Sequence, residues 1–75
     1  MNQIELTPDY GSSLISGYGY DEASSTLAIQ FRANGDVWHY GGCSPDMYEA
    51  FANSDSKGKY FHASIKKNLQ GKKAS

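Results

Sequence analysis

The chain has 75 residues, of which 39% are hydrophobic and 13% aromatic, and its formal net charge is −1. Such a length allows one small domain, which buries only about 60% of the surface that its unfolded chain exposes. The composition excludes a disordered chain, the single cysteine excludes an internal disulfide, and the lack of a leader pattern or a long apolar stretch predicts a cytoplasmic protein without a membrane partner.

The N-terminal part of the chain is predicted to contain an arm and one strand. Residues 1–11 show no clear hydrophobic period, so we expect a flexible arm there. The apolar run at residues 14–20 is interrupted by Gly17 and Gly19, which is typical of a strand that bends or bulges. The polar segment at residues 21–25 is expected to connect this strand to the next one.

A β-hairpin is predicted from the alternating segment at residues 26–32 and the Asn34-Gly35 pair after it. Asn-Gly favours a two-residue type I′ turn, because both central residues of that turn need positive φ. This turn would place Phe31 opposite Trp38, and directly opposite residues share a sheet face. The predicted apolar face carries Leu27, Ile29, Phe31, Trp38 and Tyr40. Leaving these side chains in water would cost roughly 1.5–3 kcal/mol each, so we expect the rings of Trp38 and Tyr40 mainly in the core.

Two helices are predicted to cover that face. The first has Ser44 as its N-cap, Pro45 in the first helical position and Asp46 in the first turn, all favoured there. Its apolar stripe consists of Met47, Tyr48 and Phe51. The second helix begins near Ser56, with an apolar stripe at four-residue spacing, and Gly71 is expected to end it. That stripe consists of Phe61, Ile65 and Leu69.

The charges are divided unevenly along the chain. Residues 1–55 hold all eight carboxylates and one basic side chain, Arg32, whereas residues 56–75 hold six lysines and no acid. On a helical wheel, three of these lysines fall opposite the apolar stripe of the second helix. They are Lys59, Lys66 and Lys67. The lysines are either a basic face for a partner or an ordinary solvated surface.

Three segments of the chain, residues 12–31, 37–51 and 55–69, together resemble the KTSC domain. The most specific elements are an aromatic-x-aromatic motif and a Ser-x-Gly-x-x-Phe segment. They consist of Trp38, His39 and Tyr40, and of Ser56, Gly58 and Phe61. The family is named for a C-terminal extension of some lysyl-tRNA synthetases and also occurs as small stand-alone bacterial and phage proteins.

This chain departs from the family pattern at three positions. Trp38 stands where the family usually has Tyr, Cys43 where a hydrophobic residue is common, and Leu69 where an aromatic residue is common. The biochemical role of the family is not established. Its synthetase context implies RNA binding.

The first candidate site is a phosphate site at the start of the second helix, made of Ser56, Lys57, Gly58 and Lys59. Free backbone N–H groups at a helix start favour anions, and glycine lets an anion approach the backbone closely. The two lysines would add positive charge beside these groups. The alternative is an ordinary capping serine followed by a small residue packed against the sheet.

Further side chains are predicted to extend this site into a surface for nucleic acid. Lys66 and Lys67 would contact phosphates. Tyr40 is expected near the edge of the helical cover, where its hydroxyl can stay in water, and it would stack there on a base of single-stranded RNA. A secondary polar face on the sheet is predicted to carry Gln30, Arg32 and His39, which can all form hydrogen bonds.

No cofactor, metal or catalytic site is predicted. His39 and Cys43 have only the distant His62 as a partner, and Asp46 is explained by its place in a helix turn. A metal site needs three or four ligands, and a Cys–His nucleophile needs an orienting third group. We therefore expect no enzymatic activity.

The sequence predicts an α+β fold, in which a three-stranded antiparallel β-meander is followed by two α-helices packed on one face. Residues 1–11 would be the arm, residues 12–70 a single domain and residues 71–75 a basic tail. The expected function is a small module that binds nucleic acid, RNA before DNA, through the basic second helix. The alternative is a protein-interaction module, such as a phage accessory protein, that uses the polar sheet face or the acidic first helix.

Overall fold

The structure is a computed structural model, and it describes residues 4–74. Five strands form one antiparallel sheet in chain order, β1 (Thr7–Pro8), β2 (Ile15–Asp21), β3 (Thr26–Phe31), β4 (Val37–Gly41) and β5 (Gly71–Lys73). Two helices, α1 (Pro45–Ala52) and α2 (residues 57–68), come between β4 and β5 in the chain. Neither helix of this described range is long and apolar enough to cross a membrane.

The predicted α+β class is confirmed, but the sheet has five strands where the sequence predicted three. The two additional strands are β1 and β5, which lie at the two edges of the sheet. They come from the segments that were expected to be the arm and the tail. Both strands are too short to show apolar alternation, and their proline and lysines are typical of sheet edges. Residues 1–3 and 75 of the expected arm and tail lie outside the described range.

The register between β3 and β4 differs by two residues from the predicted one. Trp38 lies opposite Ile29, where the two-residue turn would have placed it opposite Phe31. Phe31 N–H donates to the carbonyl of Asp36, which makes the connection between the strands longer than the predicted two-residue turn. Gly35 lies in this longer loop and has a positive φ of 74°. A shift of two residues leaves every side chain on its predicted face, since successive side chains alternate.

The core lies between the sheet and the two helices, as the side-chain pattern predicted. The most buried side chains there are Ile15, Leu27, Ile29, Tyr40, Cys43, Phe51, Phe61 and Ile65. The Tyr40 ring packs edge-on against Phe61, with 5.3 Å between the ring centres. Trp38 is half-buried against the same cluster. The Tyr40 ring is therefore part of the core, and the Trp38 ring packs against it.

The start of α1 agrees with the prediction. Ser44 is the N-cap, and its hydroxyl oxygen accepts a hydrogen bond of 3.2 Å from the backbone N–H of Met47. Tyr20 of β2 contacts α1 and the residue before its N-cap. The Tyr20 hydroxyl donates to the carbonyl of Cys43, and its ring stacks on the Tyr48 ring with 4.6 Å between the ring centres.

α2 has a π-helical segment in its middle. The backbone is α-helical at Lys57–Tyr60, π-helical at Phe61–Ile65 and α-helical again at Lys66–Asn68. The prediction that Gly71 ends this helix is wrong, because Leu69 already has an extended backbone with φ of −119°. Gly71 belongs to β5 and pairs with Tyr40.

The face of β2 that carries its two glycines is in contact with the N-terminal segment. A Cβ atom at Gly19 would overlap the carbonyl oxygen of Glu5, and one at Gly17 would lie 3.6 Å from the Cβ of Leu6. β2 also has the predicted bulge, between Ile15 and Gly17. The glycines therefore allow residues 4–7 to pass close against the sheet.

Candidate functional site

A groove of about 790 Å³ lies between the loop that leads into β2 and the first turns of α2. The loop contributes Asp9 and residues 11–14 to its lining. The helix side contributes residues 55–59, together with His62, Ala63 and Lys67. The groove thus contains the whole predicted segment Ser56 to Lys59.

Arg32 holds the loop wall of the groove in place. Its Nε donates to the carbonyl of Ser12 at 3.0 Å, and its Nη2 donates to the carbonyls of Ile15, at 3.2 Å, and Asp9. Within the loop, the Ser12 hydroxyl oxygen accepts hydrogen bonds from the backbone N–H groups of Leu14 and Ile15. This wall is therefore fixed by bonds that join residues far apart in the chain.

The helix wall begins at Ser56, which occupies the N-cap position of α2. Among the described residues, its side chain makes no capping hydrogen bond to this helix. The first-turn N–H groups therefore lack the partner that a capping serine normally provides. Gly58 lets the loop approach the helix, since a Cβ atom there would lie 3.4 Å from the Cβ of Leu14.

The groove carries charges of both signs. Lys57, Lys59 and Lys67 line it, and so do the carboxylates of Asp9 and Asp55. The Lys57 ammonium also lies over the Tyr18 ring, 5.4 Å from the ring centre. Asp9 accepts a hydrogen bond from the Gly11 N–H through Oδ1, whereas its Oδ2 is buried and accepts none from residues 4–74.

Two of the predicted binding residues lie outside the groove lining. Lys66 is exposed on α2 but does not line the groove, although its neighbour Lys67 does. Tyr40 is only 6% exposed, and burial raises the pKa of its hydroxyl. Tyr40 therefore lies in the core and does not line the groove with Lys57, Lys59 and Lys67.

The residues of the predicted secondary polar face have different contacts. Gln30 donates from Nε2 to the carbonyl of Gly35 at 3.2 Å, and the guanidinium of Arg32 is bonded to the loop wall. His39 shares a sheet face with Gln30, because it lies opposite Ala28 in the register of β3 and β4. His39 lines a second hollow of about 500 Å³ together with Lys72 and Lys73, whereas Gln30 and Arg32 line neither hollow.

Tyr10 is an exposed residue beside the groove that was not predicted as a site residue. Its side chain is 89% exposed, and its neighbours Asp9 and Gly11 both line the groove. The pattern that points to it is an aromatic residue between two turn-forming residues, in a segment that we expected to be a flexible arm.

The residues considered for catalysis are separated in space. Cys43 is fully buried, and burial raises the pKa of its thiol, whereas His62 is exposed at the groove. Within the described range, no three His, Cys, Asp or Glu side chains converge as a metal site would require.

Comparisons with known proteins agree with the resemblance seen in the sequence. A family model of the KTSC domain matches residues 11–68. The crystal structure of a KTSC domain protein from Yersinia pestis is similar, with a TM-score of 0.88 and 32% sequence identity. That match covers 97% of this chain and 100% of the other. A search of curated proteins found no matching sequence. The chain belongs to the KTSC domain family.

Proposed function

We propose that this protein is a non-enzymatic module that binds RNA, with the phosphates of the RNA in the groove between residues 9–14 and α2. The observation that carries the proposal is the position of three lysines along one groove. Lys57, Lys59 and Lys67 all line it, facing a wall that Arg32 holds in place. A positively charged groove that follows a nucleic-acid backbone is typical of proteins that bind single strands.

The start of α2 supports the same proposal. The backbone N–H groups of its first turn point towards the N-terminal end of the helix, where the helix dipole is positive. Because the Ser56 side chain does not cap this turn in the described structure, it would not compete with a phosphate oxygen for these groups. Ser56, Lys57, Gly58 and Lys59 would then act together on one phosphate.

The carboxylates of the groove are expected to reduce the affinity for RNA. Asp9 and Asp55 lie among the lysines, and the whole chain carries a net charge of −1. Such a groove attracts a polyanion over a short range only, because salt screens charges beyond about 10 Å at 0.1 M. We therefore expect modest affinity that decreases steeply as salt is added.

The test is a titration of fluorescently labelled single-stranded RNA of about ten nucleotides, at several salt concentrations between about 50 and 200 mM. Each phosphate contact to a single strand contributes about −0.7 to the slope of log K against log salt, so three lysines predict a slope near −2. Lys67→Glu should weaken binding and make the slope shallower. Lys66→Glu is the matched control, because it changes the charge equally on the adjacent residue, outside the groove lining.

Two results would contradict the proposal. One is the absence of RNA binding at the lowest salt concentration. The other is equal loss of affinity in the Lys67→Glu and Lys66→Glu variants, which would mean that only the total charge of the protein matters.

A further inference from the structure

Tyr10 is the one large hydrophobic side chain that the described residues leave exposed, at 89%. It lies in the chain between Asp9 and Gly11, which both line the lysine groove. A phenol ring is thus presented to solvent beside a groove that contains Lys57, Lys59 and Lys67.

The loop that carries this ring is held firmly. Arg32 bonds to the backbone carbonyl of Asp9 on one side of Tyr10 and to that of Ser12 on the other. The Gly11 N–H donates to the Asp9 carboxylate at 3.0 Å, which closes a turn around Tyr10. A ligand that contacts the ring therefore does not have to order the loop first, and binding loses less entropy.

We propose that Tyr10 stacks on a base of single-stranded RNA whose phosphates lie in the groove, which rests on the function proposed above. A single strand offers unstacked bases, and every base has a flat face that an aromatic ring can contact. A duplex keeps its bases stacked inside and leaves none free for Tyr10. The lysines attract the backbone of either form, and Tyr10 gives the protein its preference for the single strand.

Tyr10 lies outside the part of the chain that the family model matches. The match begins at residue 11, directly after Tyr10. The family match therefore assigns no role to this ring.

The experiment compares three proteins, the wild type, Tyr10→Ala and Tyr10→Phe, with labelled single-stranded RNA and with an RNA duplex of the same length. Stacking on one base predicts that Tyr10→Ala binds the single strand about 5- to 150-fold more weakly than the wild type. Tyr10→Phe keeps the ring and should bind within about twofold of the wild type. Neither change should alter binding of the duplex. Circular dichroism checks that the variants fold, which the exposure of Tyr10 leads us to expect.

The possible failures of the two proposals differ. If the wild type binds single-stranded RNA with a steep salt dependence and Tyr10→Ala binds it equally well, the stacking proposal is overturned and the groove proposal stands. If Tyr10→Ala weakens binding of the single strand and binding of the duplex by the same factor, the proposal that Tyr10 gives a preference for single strands is overturned. If the wild type binds neither RNA, the proposed function fails, and the role of Tyr10 fails with it.

Discussion

The guanidinium of Arg32 donates a hydrogen bond of 3.0 Å from Nε to the carbonyl oxygen of Ser12, which lies 20 positions earlier in the chain. From Nη2 the same group also reaches the carbonyls of Asp9 and Ile15. The planar fork of arginine suits such multiple contacts, which a lysine ammonium at the end of a flexible chain cannot reproduce. Arg32 therefore positions the groove wall, whereas the sequence predicted it only as part of a secondary polar face on the sheet.

The first prediction concerns this arginine. Arg32→Lys keeps the charge but loses the fork, so we expect the free energy of opening the loop to decrease by about 1 kcal/mol. The backbone N–H groups of Leu14 and Ile15 should then exchange with solvent about fivefold faster. Hydrogen exchange followed by NMR measures both, with the N–H of Ile29 in β3 as an internal control. Unchanged exchange at Leu14 and Ile15 would show that Arg32 does not hold the loop.

The second prediction concerns Gly71, which lies against the ring of Tyr40. A Cβ atom there would overlap the ring, and the ring cannot withdraw because it is buried against Phe61. We expect Gly71→Ala to lower the free energy of unfolding by about 1–3 kcal/mol. Gly41→Ala is the matched control, since a Cβ atom there meets nothing within 4 Å among the described residues. Chemical denaturation that gives the two variants equal stability would contradict the packing described for β5.

The third prediction concerns pH. Burial raises the pKa of the Cys43 thiol above its ordinary value of 9.0. As the pH passes that value, the thiol ionises in the unfolded chain while it stays protonated in the folded one. The unfolded state then binds fewer protons, so stability decreases as pH rises and is unaffected by this group below about pH 8.

The pH prediction is checked by chemical denaturation of the wild type and Cys43→Ala at several values between about pH 8 and 9.5, below the ordinary range of tyrosine. The wild type should lose stability more steeply with pH than the variant. The comparison uses the slopes with pH, because the smaller side chain changes the absolute stability of the variant. Equal slopes would mean that the thiol is not desolvated in the fold.

The parts of the fold that follow from local patterns could be predicted. Alternation placed Trp38 and Tyr40 on the core face, and that result survives the shift in register because the shift is an even number of residues. The capping residues located the start of α1. The two edge strands could not be predicted, because two or three residues are too few to show a period.

The candidate site was predicted on its helix side only. Ser56, Gly58 and the lysines near them are adjacent in sequence, and helical geometry adds Lys67 to the same wall. The opposite wall depends on the bonds from Arg32 to a loop some 20 residues away, which no local pattern contains. Tyr10 was not predicted, because its turn pattern does not show that Arg32 bonds to the residues on both sides of it.

An NMR titration of backbone amides with single-stranded RNA of about ten nucleotides at low salt shows most clearly where RNA binds. We predict that the shifting resonances cluster at residues 11–14, residues 56–59 and Lys67, which line the two walls of the groove. Shifts that instead surround His39 and Lys72 in the second hollow, or spectra that do not change, would contradict this prediction.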